Sequence, residues 1–183
     1  MAKKIKYEIT NMVAAGNLGF EVDLYKLIQN FKNVEYEPEQ FPGAILKFND
    51  PKSTLLIFKN GKVVCVGCMN KQIIEKALKK AHKLLTPFAK TIHRRSFTYE
   101  ITNMVAYASL NLDLNLFDLA LGIDDIEYEP EQFPGAILKL KKPNVSLLVF
   151  KNGKIIVAGA RNKEEIEKSL DKVNKMLKKF SKK

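Results

Sequence analysis

The sequence predicts an α+β fold made of two tandem copies of one unit, in which helices cover one face of antiparallel strands. The stretch from Glu35 to Lys47 returns letter for letter from Glu127 to Lys139. The same offset of 92 residues relates Phe58-Lys59-Asn60-Gly61-Lys62 to residues 150–154, with no insertion between the matched blocks. A repeat of this length predicts two equivalent structural units, and two copies in one chain predict a pseudo-twofold molecule.

The elements of the first unit follow from periodicity and from capping and turn residues. In order, they are a strand at 5–15, a helix at 23–31, strands at 44–48, 53–58 and 62–67, and a helix at 71–85. Asp23 and Asn70 are suited to cap the two helices, and Asn60-Gly61 is a strong hairpin signal. Residues 86–95 are predicted to be a linker, and the second unit repeats the plan up to a helix at 163–180.

The chain length sets the domain organisation. Residues 1–92 form the first predicted repeat and residues 93–183 the second. Each half is near the lower end of domain size and would bury only a modest core alone. We therefore expect the two repeats to fuse into one body.

The charge of the chain favours a polyanionic partner. The formal net charge is +11 and the pI is about 9.5, and both halves contribute, with 15 Lys/Arg against 8 Asp/Glu in residues 1–92 and 16 against 12 in the rest. There is no apolar run long enough for a membrane span and no signal-like apolar segment near residue 1. These features predict a soluble, intracellular protein that does not bind membranes.

The pair Cys65 and Cys68 has the spacing of half a zinc site or of a redox pair. The second repeat has Val157 and Ala160 at these positions, and the sequence contains no second ligand pair. We therefore interpret the two cysteines as small buried residues, and predict neither a metal nor a cofactor.

The strands have an unusual second face. Helices cover one face of an antiparallel sheet, so the other face is expected to be polar. In residues 53–58, however, Leu55 and Ile57 occupy one face while Thr54, Leu56 and Phe58 occupy the other, so both faces are largely apolar. An apolar surface of this extent indicates an interaction site.

The residues around this surface favour the minor groove of double-stranded DNA. Lysines frame it at strand ends and turns, where they are suited to contact phosphates: Lys47, Lys52, Lys59, Lys62, Lys139, Lys151 and Lys154. Asn11 and Asn103 are polar groups at its centre that can donate to adenine N3 and thymine O2, although amides at such positions are also satisfied locally in some proteins. Phe41, Phe58, Phe133 and Phe150 are interpreted as wedges between base steps, with a role in the core as the alternative.

These residues resemble the TATA-binding protein family, and its archaeal form in particular. The resemblance covers nearly the whole chain. It rests on Asn11-Met12-Val13, on residues 36–43 (YEPEQFPG), on Leu56-Ile57-Phe58 followed by Gly61-Lys62, and on their counterparts in the second repeat. It implies a saddle-shaped, curved antiparallel sheet of ten strands, with four helices on the convex face and DNA on the concave face.

The resemblance also implies a function. The protein would be a general transcription initiation factor and not an enzyme, located in the cytoplasm or nucleoid of an archaeon, or in the nucleus if eukaryotic. It would bind TATA-box DNA as a monomer, with a homodimer as an open alternative when free, and would recruit transcription factor B and RNA polymerase. The resemblance further implies a sharp DNA bend at the Phe wedges, which is a known property of this family.

The resemblance assigns roles to particular residues. The base contacts are residues of the apolar surface: Asn11, Val13, Leu56, Val66, Asn103, Val105, Leu148 and Ala158. Asn144 joins the seven lysines as a phosphate contact, and Glu129, Glu131 and Gln132 contact transcription factor B.

Some residues depart from the family pattern. Val66 and Ala158 stand where the family usually has Thr, and Asn144 stands where it commonly has Arg. These departures support a second interpretation, a specialised paralogue or regulator with altered promoter or partner preference. An enzyme using the paired glutamates of residues 35–39 and a module for structured RNA are further alternatives, the latter disfavoured because the RNA minor groove presents polar 2′-hydroxyls.

Overall fold

A computed structural model describes residues 5–181 of the chain. The strands are β1 Tyr7–Asn17, β2 Phe20–Val22, β3 Val34–Glu35, β4 Ala44–Asn49, β5 Lys52–Ile57, β6 Lys62–Cys68, β7 Ala89–Ile92, β8 Thr98–Ser109, β9 Ile126–Glu127, β10 Ala136–Lys141, β11 Asn144–Val149 and β12 Lys154–Ala160. The α-helices are α1 Leu24–Asn30, α2 Lys71–Leu85, α3 Leu116–Gly122 and α4 Lys163–Leu177, with 3₁₀ turns at Thr86–Phe88 and Lys178–Phe180. The predicted α+β class, with ten strands in antiparallel pairing and four helices, is confirmed.

The chain divides into two compact units. One consists of residues 11–102, with strand order β3-β4-β5-β6-β1, and the other of residues 103–181 together with residues 5–10, with strand order β8-β12-β11-β10-β9. The start of β1 thus belongs to the second unit, where the Tyr7 hydroxyl donates to Glu167 Oε1 at 3.2 Å. We call these the 11–102 unit and the 103–181 unit. The division of the sequence into domains 1–92 and 93–183 stays a prediction.

Each unit follows the same folding logic. The Asn70 side chain accepts from Ile73 N at 2.9 Å and thereby caps α2, as predicted. Along β6, Val63 and Cys65 are fully buried on the side packed against α2, whereas Val64 is only half-buried. This alternation with period two orients one face of the sheet to the helices.

The predicted linker is partly wrong. Residues 86–92 are not irregular, because a 3₁₀ turn at Thr86–Phe88 leads into β7. β7 pairs antiparallel with β2, which the sequence did not reveal, and Phe20 lies opposite Ile92. β2 has only three residues, and strands this short carry too little alternation to be recognised before their partner is known.

The two cysteines lie in the core of the 11–102 unit. Cys65 and Cys68 are fully buried, with their Sγ atoms 3.5 Å apart, and burial raises the pKa of the Cys65 thiol. The described residues hold no cluster of three potential ligands for a metal ion. Nor does any helix within them have the length and apolar character required to cross a membrane.

The hairpin between β5 and β6 depends on a glycine. Gly61 has φ +80°, and a Cβ there would lie 2.1 Å from Phe20 O. Gly67 has the similar φ of +78°, but a Cβ there would meet nothing within 4 Å. We expect Gly67→Ala to lower the free energy of unfolding by about 1–2 kcal/mol, the cost of a left-handed backbone at a residue with a Cβ. Gly61→Ala should lower it clearly more, as measured by urea unfolding. Equal losses would show that the contact at Phe20 relaxes freely.

Candidate nucleic-acid interface

The sheet of each unit has a face that is not covered by its helices, which we call the open face. In the 11–102 unit it comprises Asn11, Val13, Ala15, Ile45, Thr54, Leu56, Val64 and Val66. In the 103–181 unit it comprises Asn103, Val105, Tyr107, Ile137, Ser146, Leu148, Ile156 and Ala158. All of these side chains are half-buried, whereas most of their strand neighbours on the opposite face are buried.

Strand register places the apolar members of the open face in continuous rows. Leu56 lies between Ile45 and Val64, and Leu148 lies between Ile137 and Ile156 in the second unit. Residues directly opposite each other on antiparallel strands have Cβ atoms within about 5.5 Å. Each row is therefore an apolar strip that lacks helix cover.

The two asparagines have different surroundings. Asn103 Oδ1 accepts from Gly159 N at 2.9 Å, which Gly159 makes possible with its φ of +94° at a bulge in β12. Within the described chain, Asn11 Oδ1 is buried and has no hydrogen-bond partner. The local bond of Asn103 engages the acceptor oxygen, so its amide nitrogen keeps both donors for a ligand.

The four phenylalanines form one pair in each unit. The rings of Phe41 and Phe58 lie edge to face with their centroids 5.7 Å apart, and those of Phe133 and Phe150 with their centroids 5.8 Å apart. All four side chains are half-buried and none belongs to the buried core. The structure therefore brings the predicted wedge residues together in pairs.

A glycine lies beneath each pair of rings. A Cβ at Gly43 would lie 2.7 Å from Phe41 Cε1 and 3.1 Å from Phe58 Cε1, and Gly135 has the corresponding contacts at 2.8 and 3.1 Å. Any larger residue would displace at least one ring. The Pro-Gly steps at 42–43 and 134–135 thus allow the rings to pack directly over the backbone.

Val66 and Ala158 have hydroxyl groups beside them. Thr54 lies directly opposite Val66 on the neighbouring strand, and Ser146 lies directly opposite Ala158. Both hydroxyl residues are half-buried members of the open face. A polar group therefore lies one strand away from Val66 and from Ala158.

The predicted phosphate contacts are exposed, but two of them are already paired. Lys47 Nζ contacts Glu35 Oε1 at 2.7 Å, and Lys139 Nζ contacts Glu127 Oε1 at 2.8 Å. Because these side chains are more than half exposed, such pairs contribute only about 0–1 kcal/mol and can open. The remaining predicted contacts are also exposed: Lys52, Lys59, Lys62, Asn144, Lys151 and Lys154.

The acidic loops, residues 36–43 and their counterparts 128–135, have the same backbone arrangement in both units. Glu129 O accepts from the backbone N of Gln132 and of Phe133, at 2.9 Å each, and the Glu129 carboxylate accepts from the Gln132 side chain. Glu37 O accepts from residues 40 and 41 in the same way, again at 2.9 Å. The turn fixes the backbone at Phe41 and at Phe133, the first residue of each wedge pair. It leaves Glu129 and Glu131 exposed.

Tyr107 is a member of the open face that sequence reasoning missed. It lies opposite Ile156, at the position where the 11–102 unit has Ala15 opposite Val64. The offset of 92 residues pairs Tyr107 with Ala15, so comparison of the two repeats was the signal available. The open face of the 103–181 unit is consequently bulkier and carries an additional phenol.

Comparisons with known proteins agree with this arrangement. The family model described as transcription factor TFIID (or TATA-binding protein, TBP) matches residues 6–88 and 98–180. A TATA-box-binding protein of Archaeoglobus fulgidus is 38% identical over 94% of this chain and 94% of its own length, and one of Methanocaldococcus jannaschii is 40% identical over 91% and 90%. The solved structure of Methanococcus jannaschii TBP superposes with a TM-score of 0.87 at 39% identity, covering 95% of this chain and 99% of that one.

Proposed function

The chain belongs to the TATA-binding protein family, and from this premise we propose that its open faces bind the minor groove of TATA-box DNA. The family consists of DNA-binding transcription factors, so the prediction that the chain is not an enzyme is confirmed. We also propose finer roles for particular residues and partners. They concern the Phe wedges, the base and phosphate contacts, and the recruitment of transcription factor B and RNA polymerase.

The observation that carries the proposal is the pair of open faces, each apolar and each ending in a Phe pair. A·T pairs present only the N3 and O2 acceptors in the minor groove, so a largely apolar surface that offers the Asn11 and Asn103 amides as donors suits them. The guanine amino group would have to be desolvated against Leu56 or Leu148 without an acceptor, which is costly. Apolar strips therefore favour A·T-rich DNA.

The wedge and phosphate groups complete the proposed mode of binding. The two Phe pairs enter base steps, Phe58 together with Phe41 and Phe150 together with Phe133, the rings of each pair lying edge to face. The exposed lysines replace counterions at the phosphates, which makes binding depend on salt. Lys47 and Lys139 leave their glutamates when DNA is bound.

Transcription factor B and, through it, RNA polymerase are the proposed protein partners. Glu129, Glu131 and Gln132 are exposed on a turn that is held by its own hydrogen bonds, so they form a preorganised acidic surface for a basic partner. A specialised paralogue with altered promoter preference remains the second candidate, favoured by Val66, Ala158 and Tyr107 on the open face.

A gel-shift series tests the proposed function. The full chain is titrated against a TATA duplex, a duplex of equal length with G·C pairs at the TATA positions, and an RNA duplex. We expect tightest binding to the TATA duplex and a supershift when transcription factor B from the same source is added. Equal affinity for the three duplexes would refute minor-groove recognition, whereas a preference for the duplex with G·C pairs would favour the specialised paralogue.

A further prediction concerns Val66→Thr combined with Ala158→Thr. The added hydroxyls would lie beside those of Thr54 and Ser146 and could contact the central base edges. We expect discrimination against a central G·C pair to increase by about 1–3 kcal/mol per contact, with no change in the salt dependence of binding.

The matched control removes the neighbouring hydroxyls instead. Thr54→Val with Ser146→Ala should reduce central discrimination while leaving the apolar strips intact. If competition binding shows the same central specificity for the parent and both double variants, these positions do not approach the bases.

A further inference from the structure

Helix α3 carries an apolar surface that is exposed to solvent. Phe117 is 61% exposed and Leu121 is 89% exposed, and their spacing of four residues places them on one side of the helix. The Phe117 ring lies edge to face with Tyr128 at 5.1 Å. Large apolar side chains grouped in this way mark an interaction site, and we call Phe117, Leu121 and Tyr128 the α3 surface.

The α3 surface borders a depression of about 340 Å³. Its lining includes Leu114, Leu116, Pro134 and Lys151 in addition to Phe117 and Tyr128. Lys151 is its only basic lining residue among those the structure describes. The depression offers room for an apolar side chain from a partner, held between an aromatic pair and a proline.

The charge around the α3 surface is opposite in sign to that of the chain as a whole. Residues 116–132 contain six acidic and no basic residues, in a chain of net charge +11. The equivalent residues 24–40 contain three acidic and two basic residues. The duplication therefore produced two helix-and-turn segments with similar aromatic pairs but different charges, since Asp118 and Asp124 occupy the positions of Lys26 and Lys32.

The acidic residues around α3 are largely available to a partner. Asp118, Asp124, Glu129 and Glu131 are exposed, and the described residues provide none of them with an ion pair. Asp125 is 4.0 Å from Lys141, and Glu127 is paired with Lys139. An acidic rim around an apolar centre repels DNA phosphates and complements a basic protein segment.

We propose that the α3 surface binds a segment of a protein partner in which an apolar side chain is flanked by lysines or arginines. The proposal rests on the proposed function, because the surface is continuous with the acidic loop through Tyr128 and Glu129. The same partner, transcription factor B, covers both. The identical acidic loops give the partner no basis for choosing between the two units. The α3 surface supplies that basis, so the partner selects the 103–181 unit.

The test is formation of the ternary complex with a TATA duplex and transcription factor B, measured by gel shift. Phe117→Ser with Leu121→Ser removes the apolar centre, and Asp118→Lys with Asp124→Lys gives α3 and the turn after it the charges found at residues 26 and 32. We expect either pair to raise the factor concentration for half-maximal ternary complex by about tenfold or more, as is typical when an interface anchor is removed. DNA binding by the Ser pair alone should stay within about twofold of the parent, because the apolar anchors make no phosphate contact.

The matched controls are on α1 and the turn after it. Tyr25 is 58% exposed and contacts Tyr36 at 5.3 Å, so Tyr25→Ser with Ile28→Ser makes a similar apolar deletion, and Lys26→Asp with Lys32→Asp makes the reverse charge change. Neither pair should weaken the ternary complex. Thermal melts of each variant confirm folding, which exposed positions should not compromise.

The outcomes separate the two proposals. If Glu129→Lys with Glu131→Lys abolishes the ternary complex while the α3 variants retain it, the α3 inference is refuted and the proposed partner stands. Equal loss from the α1 and α3 variants also refutes the inference, because the partner would not distinguish the units. If the unchanged chain binds TATA DNA but forms no ternary complex, both the partner assignment and the inference fail.

Discussion

Phe150→Ala is expected to abolish one of the two DNA bends while leaving the protein folded. The Phe150 side chain is half-buried and its ring rests on Phe133 at 5.8 Å, so truncation removes the wedge without opening the core. Unstacking a base step costs a few kcal/mol, which the inserted ring offsets. Without the ring, that base step stays stacked, and affinity for TATA DNA should fall by about 10²-fold if roughly 2.7 kcal/mol of wedge energy is lost. Energy transfer between dyes at the two ends of the duplex should fall accordingly.

Phe58→Ala and Phe20→Ala are the controls for this experiment. Phe58→Ala should have the same effect on the other wedge pair, because its ring geometry with Phe41 is almost identical. Phe20 is 1% exposed, and Phe20→Ala should cost about 3–5 kcal/mol of folding stability. A stability loss of that size for Phe150→Ala, with bending unchanged, would show that Phe150 is a core residue and not a wedge.

Much of the fold could be predicted because each helix, strand and turn is encoded twice, once in each repeat. Asp23 and Asn70 cap α1 and α2 as their positions indicated, and α2 has the predicted bounds. The turn at Asn60-Gly61 joins β5 and β6 as expected. Local rules of capping, periodicity and turn chemistry determine these features, and the sequence contains them directly.

Other features depended on partners that are distant in sequence. The bond from Gly159 to Asn103 spans 56 residues, and the pairing of β2 with β7 joins Phe20 to Ile92. The approach of Thr54 to Val66 follows from the register of two strands. Alternation along one strand predicts which face a residue occupies, but not which residue lies opposite. The side-chain pairs of the open face therefore required the structure.

The differences between the two repeats indicate how the two units differ in function. The shared residues predicted the fold and the open faces, whereas Tyr107 against Ala15 and Asp118 against Lys26 distinguish one unit from the other. A duplicated surface alone would bind a symmetric ligand in two equivalent orientations. The residues that break the symmetry are consequently the ones proposed to give the complex a direction.

Reversal of charge in the acidic loop of the 103–181 unit is expected to abolish the ternary complex. Glu129→Lys with Glu131→Lys replaces two exposed carboxylates by ammonium groups, so a basic partner meets like charges, which cost several kcal/mol at an interface. The turn itself should persist, because Glu129 accepts from residues 132 and 133 through its backbone oxygen. Binding to TATA DNA without the factor should not weaken, and native gel shifts with and without transcription factor B measure both quantities.

The same reversal at Glu37 and Glu39 is the decisive comparison, because these loops are identical in sequence and share the same backbone hydrogen bonds. If the partner requires the α3 surface beside its acidic loop, only the 103–181 unit can hold it, and Glu37→Lys with Glu39→Lys should leave the ternary complex intact. Were both double variants to lose the complex equally, the factor would engage either unit, and the asymmetry between α1 and α3 would have no part in its choice. Loss confined to Glu129→Lys with Glu131→Lys would instead assign the direction of assembly to the 103–181 unit, because no difference between the loops themselves could account for it.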